Sequence, residues 1–205
     1  MPTLTRRDAL ALLFAAPAAA RSLSAQSMES ISLFDDTSLR RWKAHGNANA
    51  FSVVDGQIAV RGENARLFFI GPSGQTDFKN FEFSAEITMQ PGAESALCFH
   101  TSDQSLPAPA PGFQVLLAND GRGPNGFIQR RKTGSLQGAR HFWKQFVRDN
   151  QWFTLNILVR QKQVQVRIND MLVVDYIEPD EPFSANSEFD CRHRLIIMRS
   201  DADGT

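Results

Sequence analysis

Residues 152–176 read WFTLNILVRQKQVQVRINDMLVVDY and carry a clear strand pattern. Apolar and polar residues alternate through its first two thirds, which is the two-residue period of strands with one face in a core. Asn169-Asp170 then interrupts the pattern, and both residue types accept the positive φ angles of a tight hairpin turn. The stretch therefore predicts consecutive antiparallel strands joined by short turns.

The rest of the chain repeats this pattern in short pieces. Asn80–Met89 alternates cleanly, with Phe81 and Phe83 among its apolar residues, and Asp55-Gly56 supplies another hairpin turn. Further strand-like segments are 31–34, 51–54, 57–60 and 67–70. No segment after residue 30 holds a helical period over three turns, so the sequence predicts an all-β sandwich or barrel.

Composition indicates a globular domain without a nucleic-acid surface. The chain has 205 residues, 42% of them apolar, and it contains 16 Phe but 1 Tyr, which predicts buried rings without a polar tip. Its formal net charge is +0 and no basic stripe is present. A nucleic-acid partner is therefore not expected.

The N-terminus resembles an export signal. Arg6-Arg7 stands directly before a short apolar run, Ala9–Ala20, which ends in small residues. This arrangement predicts a cleaved twin-arginine signal over residues 1–25, and hence a periplasmic or extracellular protein. The run is too short for a stable membrane span. An N-terminal amphipathic helix is the alternative, but no polar face repeats there.

Two cysteines, Cys98 and Cys191, are too few for a zinc site without clustered histidines. An oxidising compartment would permit a disulfide between them, although the spacing does not require one.

Four motifs in order resemble the 3-keto-disaccharide hydrolase family. These are the opening 33–43 with Leu33-Phe34-Asp35, the paired strands from Phe81 to His100, the run Gly112–Asp120 followed by Thr133-Gly134, and the late hairpin 152–176. The family usually has an acid where this chain has Gln114. The chain also departs from the family over 187–205, where one strand's worth of apolar residues remains. If the reading frame is truncated or altered there, a sheet would lose a strand and expose an edge.

The resemblance implies a fold and a substrate class. The fold is a concanavalin A-like jelly-roll sandwich of two antiparallel sheets, formed by a single domain over 26–205. The substrates are 3-keto-glycosides or 3-keto-disaccharides, cleaved after removal of the C2 proton. Such chemistry needs a base, an acid at the leaving oxygen and a group that stabilises the enolate.

Candidate site residues follow from this chemistry. His100, Asp120 and Glu86 are the candidate catalytic groups, since imidazole and carboxylate can transfer protons near neutral pH. The candidate substrate-binding residues are Gln114, Asn119, Arg130, Lys132, Gln137 and Trp143. Arg130 and Lys132 are cations that can stabilise an enolate, and Trp143, beside His141, can stack on a sugar.

Strand alternation groups three of these candidates. If Leu97 and Val115 point into the core, then His100 and Gln114 point away from it, as Glu86 does on its own strand. We therefore expect Glu86, His100 and Gln114 to line one site, provided that their strands share a sheet.

The sequence is also compatible with three further features or functions. No cofactor motif is present, but Asn119–Gly123 could ligate a hard divalent cation through oxygens, without the ligand spacing of an EF-hand. Because Gln114 cannot transfer a proton, the alternative function is a carbohydrate-binding sandwich without turnover. The altered C-terminus also allows a nonfunctional fragment.

Overall fold

The computed structural model describes residues 30–71, 76–101, 112–119, 130–180 and 195–200, the last as backbone only. The chain divides into two compact units, Met1–Ile31 and Ser32–Thr205. All the strands described belong to the second unit. The predicted signal peptide lies outside the described residues. Within those ranges no helix is long and apolar enough to cross a membrane.

Short strands dominate the second unit, with a single 3-10 turn at Ala48–Ala50 among the described elements. The strands are β1 Trp42–Gly46, β2 Phe51–Val54, β3 Gln57–Val60, β4 Ala65–Phe69, β5 Phe81–Ile87, β6 Ser95–Phe99, β7 Phe113–Leu117, β8 Phe153–Arg160, β9 Gln163–Ile168, β10 Met171–Ile177 and β11 Leu195–Ser200. The all-β prediction is confirmed.

The strands form two antiparallel sheets and a hairpin. One sheet has the order β1-β4-β11-β6-β7, the other has the order β10-β9-β8-β5, and β2 pairs with β3. Every described pairing between named strands is antiparallel. The fold is therefore the predicted sandwich of two sheets.

The core lies between the inward faces of the two sheets. Strand β8 shows the alternation expected of such a layer, because Phe153, Leu155, Ile157 and Val159 are buried while the residues between them are less so. Phenylalanine rings fill the space as predicted, with the rings of Phe99 and Phe113 stacked at 5.3 Å. Burying large apolar side chains of this kind is the dominant favourable term in folding.

Both predicted hairpin turns are confirmed by their backbone angles. Asp55 and Gly56 have φ of 50° and 74°, and Asn169 and Asp170 have φ of 47° and 65°. Two consecutive residues with positive φ give the turn whose twist matches that of the flanking strands.

The C-terminal apolar run forms a central strand. β11 pairs with β4 on one side and with β6 on the other. Residues 195–200 therefore lie between two strands of this sheet and not at its edge. Its six residues lie within the usual range of strand lengths.

The segment 134–137 extends the same sheet beyond β7. The Gly134 N–H donates to the Leu116 carbonyl at 2.8 Å, and the Leu116 N–H donates to the Ser135 carbonyl at 2.9 Å. The Gln137 N–H donates to the Gln114 carbonyl at 2.9 Å. These bonds place Gln137 next to Gln114.

Candidate functional site on the outer face of the five-stranded sheet

One side of the five-stranded sheet carries a set of polar and apolar side chains that do not belong to the main core. Leu67, Leu97 and Val115 point into that core, so their strand neighbours project from the opposite side. We call this opposite side the outer face. Its side chains are those of Lys43, His45, Arg66, Phe68, Ala96, Cys98, Gln114, Leu116 and Gln137.

The strand register arranges these side chains in rows. His45 lies opposite Arg66, and Lys43 lies opposite Phe68. On the far side of β11, Ala96 lies opposite Leu116 and Cys98 opposite Gln114. Because neighbouring strands are about 4.8 Å apart, β4 and β7 are separated by roughly 14 Å across the sheet.

An apolar floor occupies the middle of the outer face. Phe68, Ala96 and Cys98 are each 4% exposed and form a second cluster with the partly buried Leu116. Side chains on the outside of a sheet become this buried only when other atoms lie over them. The middle of the outer face is therefore covered, and its floor is apolar.

A cationic end flanks this floor. Arg66 is 4% exposed and its guanidinium stays protonated in a protein. The His45 ring packs edge-on against Phe68, with ring centroids 5.0 Å apart. Lys43 is exposed at the same end.

An amide end flanks the floor on the other side. Gln114 and Gln137 are half-buried there. The Arg131 guanidinium donates to the Gln137 side-chain oxygen at 3.4 Å. The outer face therefore combines hydroxyl-binding amides, an apolar floor and a buried cation, which is the composition of a small-molecule site.

His100 does not point to the outer face. Its φ of 53° interrupts the strand alternation directly after β6. The His100 ring is 8% exposed and lies among Phe81, Phe99 and Phe113, with centroid distances of 6.1, 5.5 and 6.2 Å. Its Nε2 lies 3.2 Å from the Lys79 carbonyl oxygen. The orientation predicted for His100 is therefore wrong.

Glu86 lies on the other sheet. It belongs to β5, which pairs with β8 at the edge of the four-stranded sheet, and its side chain is exposed there. The expected grouping of Glu86 with His100 and Gln114 is wrong, because it assumed that their strands share a sheet.

The Asn119 side chain makes its hydrogen bonds within the protein. It is 1% exposed, its Oδ1 accepts from the Thr133 hydroxyl at 2.5 Å, and its amide donates to the Arg148 carbonyl at 3.2 Å. Thr133 Oγ1 also accepts from the Ala118 N–H at 2.8 Å. This network ties the segment after β7 to the sheet, so the arrangement gives no support to a substrate contact by Asn119.

The remaining candidates are dispersed. Asp120 lies outside the described residues, and its predicted catalytic role stays a prediction. Arg130 is exposed, whereas Lys132 is 7% exposed. Trp143 is 82% exposed, which leaves its ring accessible to a ligand.

The His141 ring is anchored by a backbone hydrogen bond. Its Nε2 accepts a hydrogen bond from the Gly138 N–H at 3.1 Å. Partial burial, together with the charge of Arg131, lowers the pKa of His141 below its usual value.

No group of three or more His, Cys, Asp or Glu residues within the described ranges is arranged to hold a metal ion. The cation predicted at 119–123 falls mostly outside those ranges, as does a disulfide to Cys191.

Sequence reasoning missed His45 and Arg66. Arg66 stands inside the apolar strand Ala65–Phe69, and a charged residue in such a run is a usable signal. His45 carried no comparable signal, because the strand around it alternates too weakly to assign its faces.

Solved structures share the sandwich at low sequence identity. A candidate glycosyl hydrolase from Parabacteroides distasonis gives a TM-score of 0.60 at 18% identity, over 83% of this chain and 86% of that one. The carbohydrate-binding module CBM66 from Bacillus subtilis gives a TM-score of 0.52 at 11% identity, over 79% of this chain and 89% of that one. The Ca²⁺/Man-bound exoplasmic/lumenal domain of VIP36 gives a TM-score of 0.50 at 12% identity, over 80% of this chain and 77% of that one. No curated protein sequence matches the chain significantly.

These likenesses and the strand order define a concanavalin-like β-sandwich. Residues 29–202 match the 3-keto-alpha-glucoside-1,2-lyase-like domain, and the chain therefore belongs to that family. The protein is a carbohydrate-active β-sandwich, as its sequence motifs indicated.

Proposed function

We propose that this protein is an exported enzyme that cleaves 3-keto-glycosides or 3-keto-disaccharides on the outer face of the five-stranded sheet. The observation that carries the proposal is the enclosed apolar floor, flanked by Arg66 and by the amides of Gln114 and Gln137, in a chain of this family. A sugar enclosed above this face would meet an apolar floor and the polar groups that flank it.

The proposed reaction begins at the carbon next to the ketone. The C2–H bond breaks, its electrons form a C2–C3 double bond, and the C3 oxygen becomes an enolate. The enolate then re-forms the ketone as the C1–O bond breaks, and the departing oxygen takes up a proton. Water added across the resulting C1–C2 double bond gives net hydrolysis, so atoms and charge balance without an oxidant.

Side chains of the outer face can supply binding and charge in this sequence. A buried cation stabilises the negative charge on the enolate oxygen strongly, since little water competes. Gln114 cannot transfer a proton and would hold a hydroxyl farther along the sugar.

The test is release of sugar from a panel of 3-keto-disaccharides by protein that lacks residues 1–25 and shows a cooperative thermal transition. We expect release from at least one member, in the presence or absence of chelator. Folded protein that binds these sugars without releasing product would contradict the proposal.

A second function, glycan binding without turnover, is favoured by Trp143 and Gln114. Trp143 is 82% exposed, and Gln114 stands where the family usually has an acid. Replacing Trp143 by Ala would then lower glycan affinity by about fivefold, because ring stacking contributes on the order of 1 kcal/mol. Unchanged affinity would remove Trp143 from this function.

The variant Gln114→Glu separates the two functions. Appearance of turnover in Gln114→Glu, in protein that otherwise has none, would show a site that lost its acid. Absence of turnover with retained glycan binding would support the binding role.

Export is part of the proposal and rests on the sequence of residues 1–25. Replacing Arg6 and Arg7 by Lys should hold an unprocessed precursor inside the cell when fractions are compared. Unchanged export of the doubly substituted chain would contradict the twin-arginine route.

A further inference from the structure

We propose that His45, rather than His100, transfers the C2 proton, and that Arg66 beside it binds the enolate oxygen. The inference rests on the proposed function and names two residues for it. It follows from the placement of both side chains on the outer face, next to the apolar floor.

The two histidines differ in their surroundings. His100 lies within an aromatic cluster at the end of β6, and its ring is 8% exposed. His45 is half-buried on the outer face, and its ring contacts Phe68 at the border of the floor. The side chain of His45 therefore lies on the face proposed to hold the sugar, and the side chain of His100 does not.

Arg66 lies directly opposite His45 in the strand register. The Cβ atoms of such pairs are about 5 Å apart. A proton acceptor and a cation therefore project side by side from the same face. Both side chains also make at least one interaction within the protein, which helps to fix their positions. A guanidinium has five N–H donors, enough to serve a protein partner and a ligand oxygen together.

The assignment gives each group one task. His45 accepts the proton as the C2–H bond breaks, and the electron pair moves to the C3 oxygen. Arg66 donates hydrogen bonds to that oxygen while it carries the negative charge. The proton held by His45 is then available for the departing C1 oxygen.

Proton removal can be measured separately from cleavage. Methyl 3-keto-α-glucoside is incubated in D₂O with the signal-free protein, and deuterium at C2 is followed by NMR. Replacing His45 by Ala should slow enzyme-dependent exchange by about a hundredfold or more, the usual contribution of a positioned base. Added imidazole should restore part of the rate, which a merely structural histidine would not show.

Companion variants keep this test decisive. His45→Gln retains a side chain of similar size and should lose exchange equally if His45→Ala folds poorly. His100→Asn tolerates the positive φ at position 100 and should retain most of the exchange. Exchange lost in His100→Asn but retained in both His45 variants would overturn the assignment.

The role of Arg66 has its own probe. Methyl 3-deoxy-3-nitro-glucoside deprotonates to a nitronate, which is flat at C3 and carries its negative charge on oxygen, as the enolate does. Arg66→Gln should weaken nitronate binding by about tenfold to a hundredfold, with little effect on neutral methyl glucoside. Arg167→Gln, on the outside of the four-stranded sheet, is the matched control and should change neither affinity.

The outcomes separate this inference from the proposed function. Wild-type protein that cleaves 3-keto-disaccharides while both His45 variants exchange within about threefold of wild type would overturn the inference alone. Equal loss of nitronate and neutral-sugar binding in Arg66→Gln would overturn the role of Arg66. Neither exchange nor cleavage by folded wild-type protein would remove the proposed function and this inference with it.

Discussion

At the scale of single residues, Gly112 shows how closely the chain passes itself at the end of β6. Its φ is 119°, and a Cβ at this position would lie 2.6 Å from the carbonyl oxygens of both Phe99 and His100. Any side chain would collide with backbone that cannot move independently. The glycine in the run Gly112-Phe113-Gln114 is therefore required by geometry.

We expect Gly112→Ala to lower the free energy of unfolding by about 3 kcal/mol or more, since left-handed strain adds to the collision. Gly56→Ala is the matched control, because its φ is 74° but the nearest atom lies 3.8 Å away. It should cost about 1 kcal/mol. Urea unfolding measures both, and equal losses would show that the close approach does not matter.

Thr133 links two buried groups through one hydroxyl, which accepts from the Ala118 N–H and donates to Asn119. Thr133→Val keeps the shape of the side chain but leaves the Ala118 N–H and Asn119 Oδ1 without this partner. We therefore expect the free energy of unfolding in urea to fall by about 2 to 4 kcal/mol. Thr88→Val, at an exposed position, should stay within about 0.5 kcal/mol. A loss at Thr133 no larger than that of the control would contradict the assignment.

Asp35 makes stability depend on acid pH. The N–H groups of Ser38 and Thr37 donate to its carboxylate at 2.7 and 3.1 Å and hold its pKa well below the usual value of 3.8. A depressed folded pKa favours the folded state above the unfolded pKa, and this contribution is lost as pH falls below about 4. Asp35→Asn should remove that part of the pH dependence in urea midpoints between pH 7 and 2. Asp36→Asn serves as the control, and an identical pH profile for wild type and Asp35→Asn would be inconsistent with this account.

Residue-scale prediction from sequence worked where alternation is regular and failed where it is broken. Gln114 was placed correctly because β7 alternates through its length. His100 was not, since its positive φ turns the side chain away from the face that parity assigns. The alternation of residue types does not encode a backbone angle of this kind.

At the scale of elements, the strands were predictable and their neighbours were not. Period-two patterns identified β5, β8 and β9, and local turn chemistry identified the two hairpins. Strand adjacency depends on long-range pairing, which no local pattern encodes. This is why Glu86 was expected beside Gln114 although β5 belongs to the other sheet.

The central position of β11 gives a prediction at this scale. Ending the chain at residue 194 removes a strand that bonds to both β4 and β6, which leaves two unsatisfied strand edges inside the sheet. We expect this shortened chain to lose its cooperative thermal transition, followed by circular dichroism. A chain ending at residue 200 is the matched control and should keep it. Cooperative unfolding of the shorter chain would show that β11 is dispensable.

At the scale of the whole molecule, the sandwich separates two kinds of surface. One face of each sheet builds the common core, while the outer face of the five-stranded sheet carries a second apolar cluster beside Arg66 and His45. The family and the fold could be identified from four ordered motifs. The location of the site could not, because Arg66, Phe68 and Cys98 come together only through the order of the strands.

The central claim is that this outer face acts on 3-keto sugars. The most direct measurement is release of sugar from 3-keto-disaccharides by folded, signal-free protein, compared with Arg66→Gln and with the control Arg167→Gln. We expect release by wild type and by Arg167→Gln, and a loss of at least about tenfold in Arg66→Gln. Folded wild-type protein that releases no sugar, or release unaffected by Arg66→Gln, would contradict it.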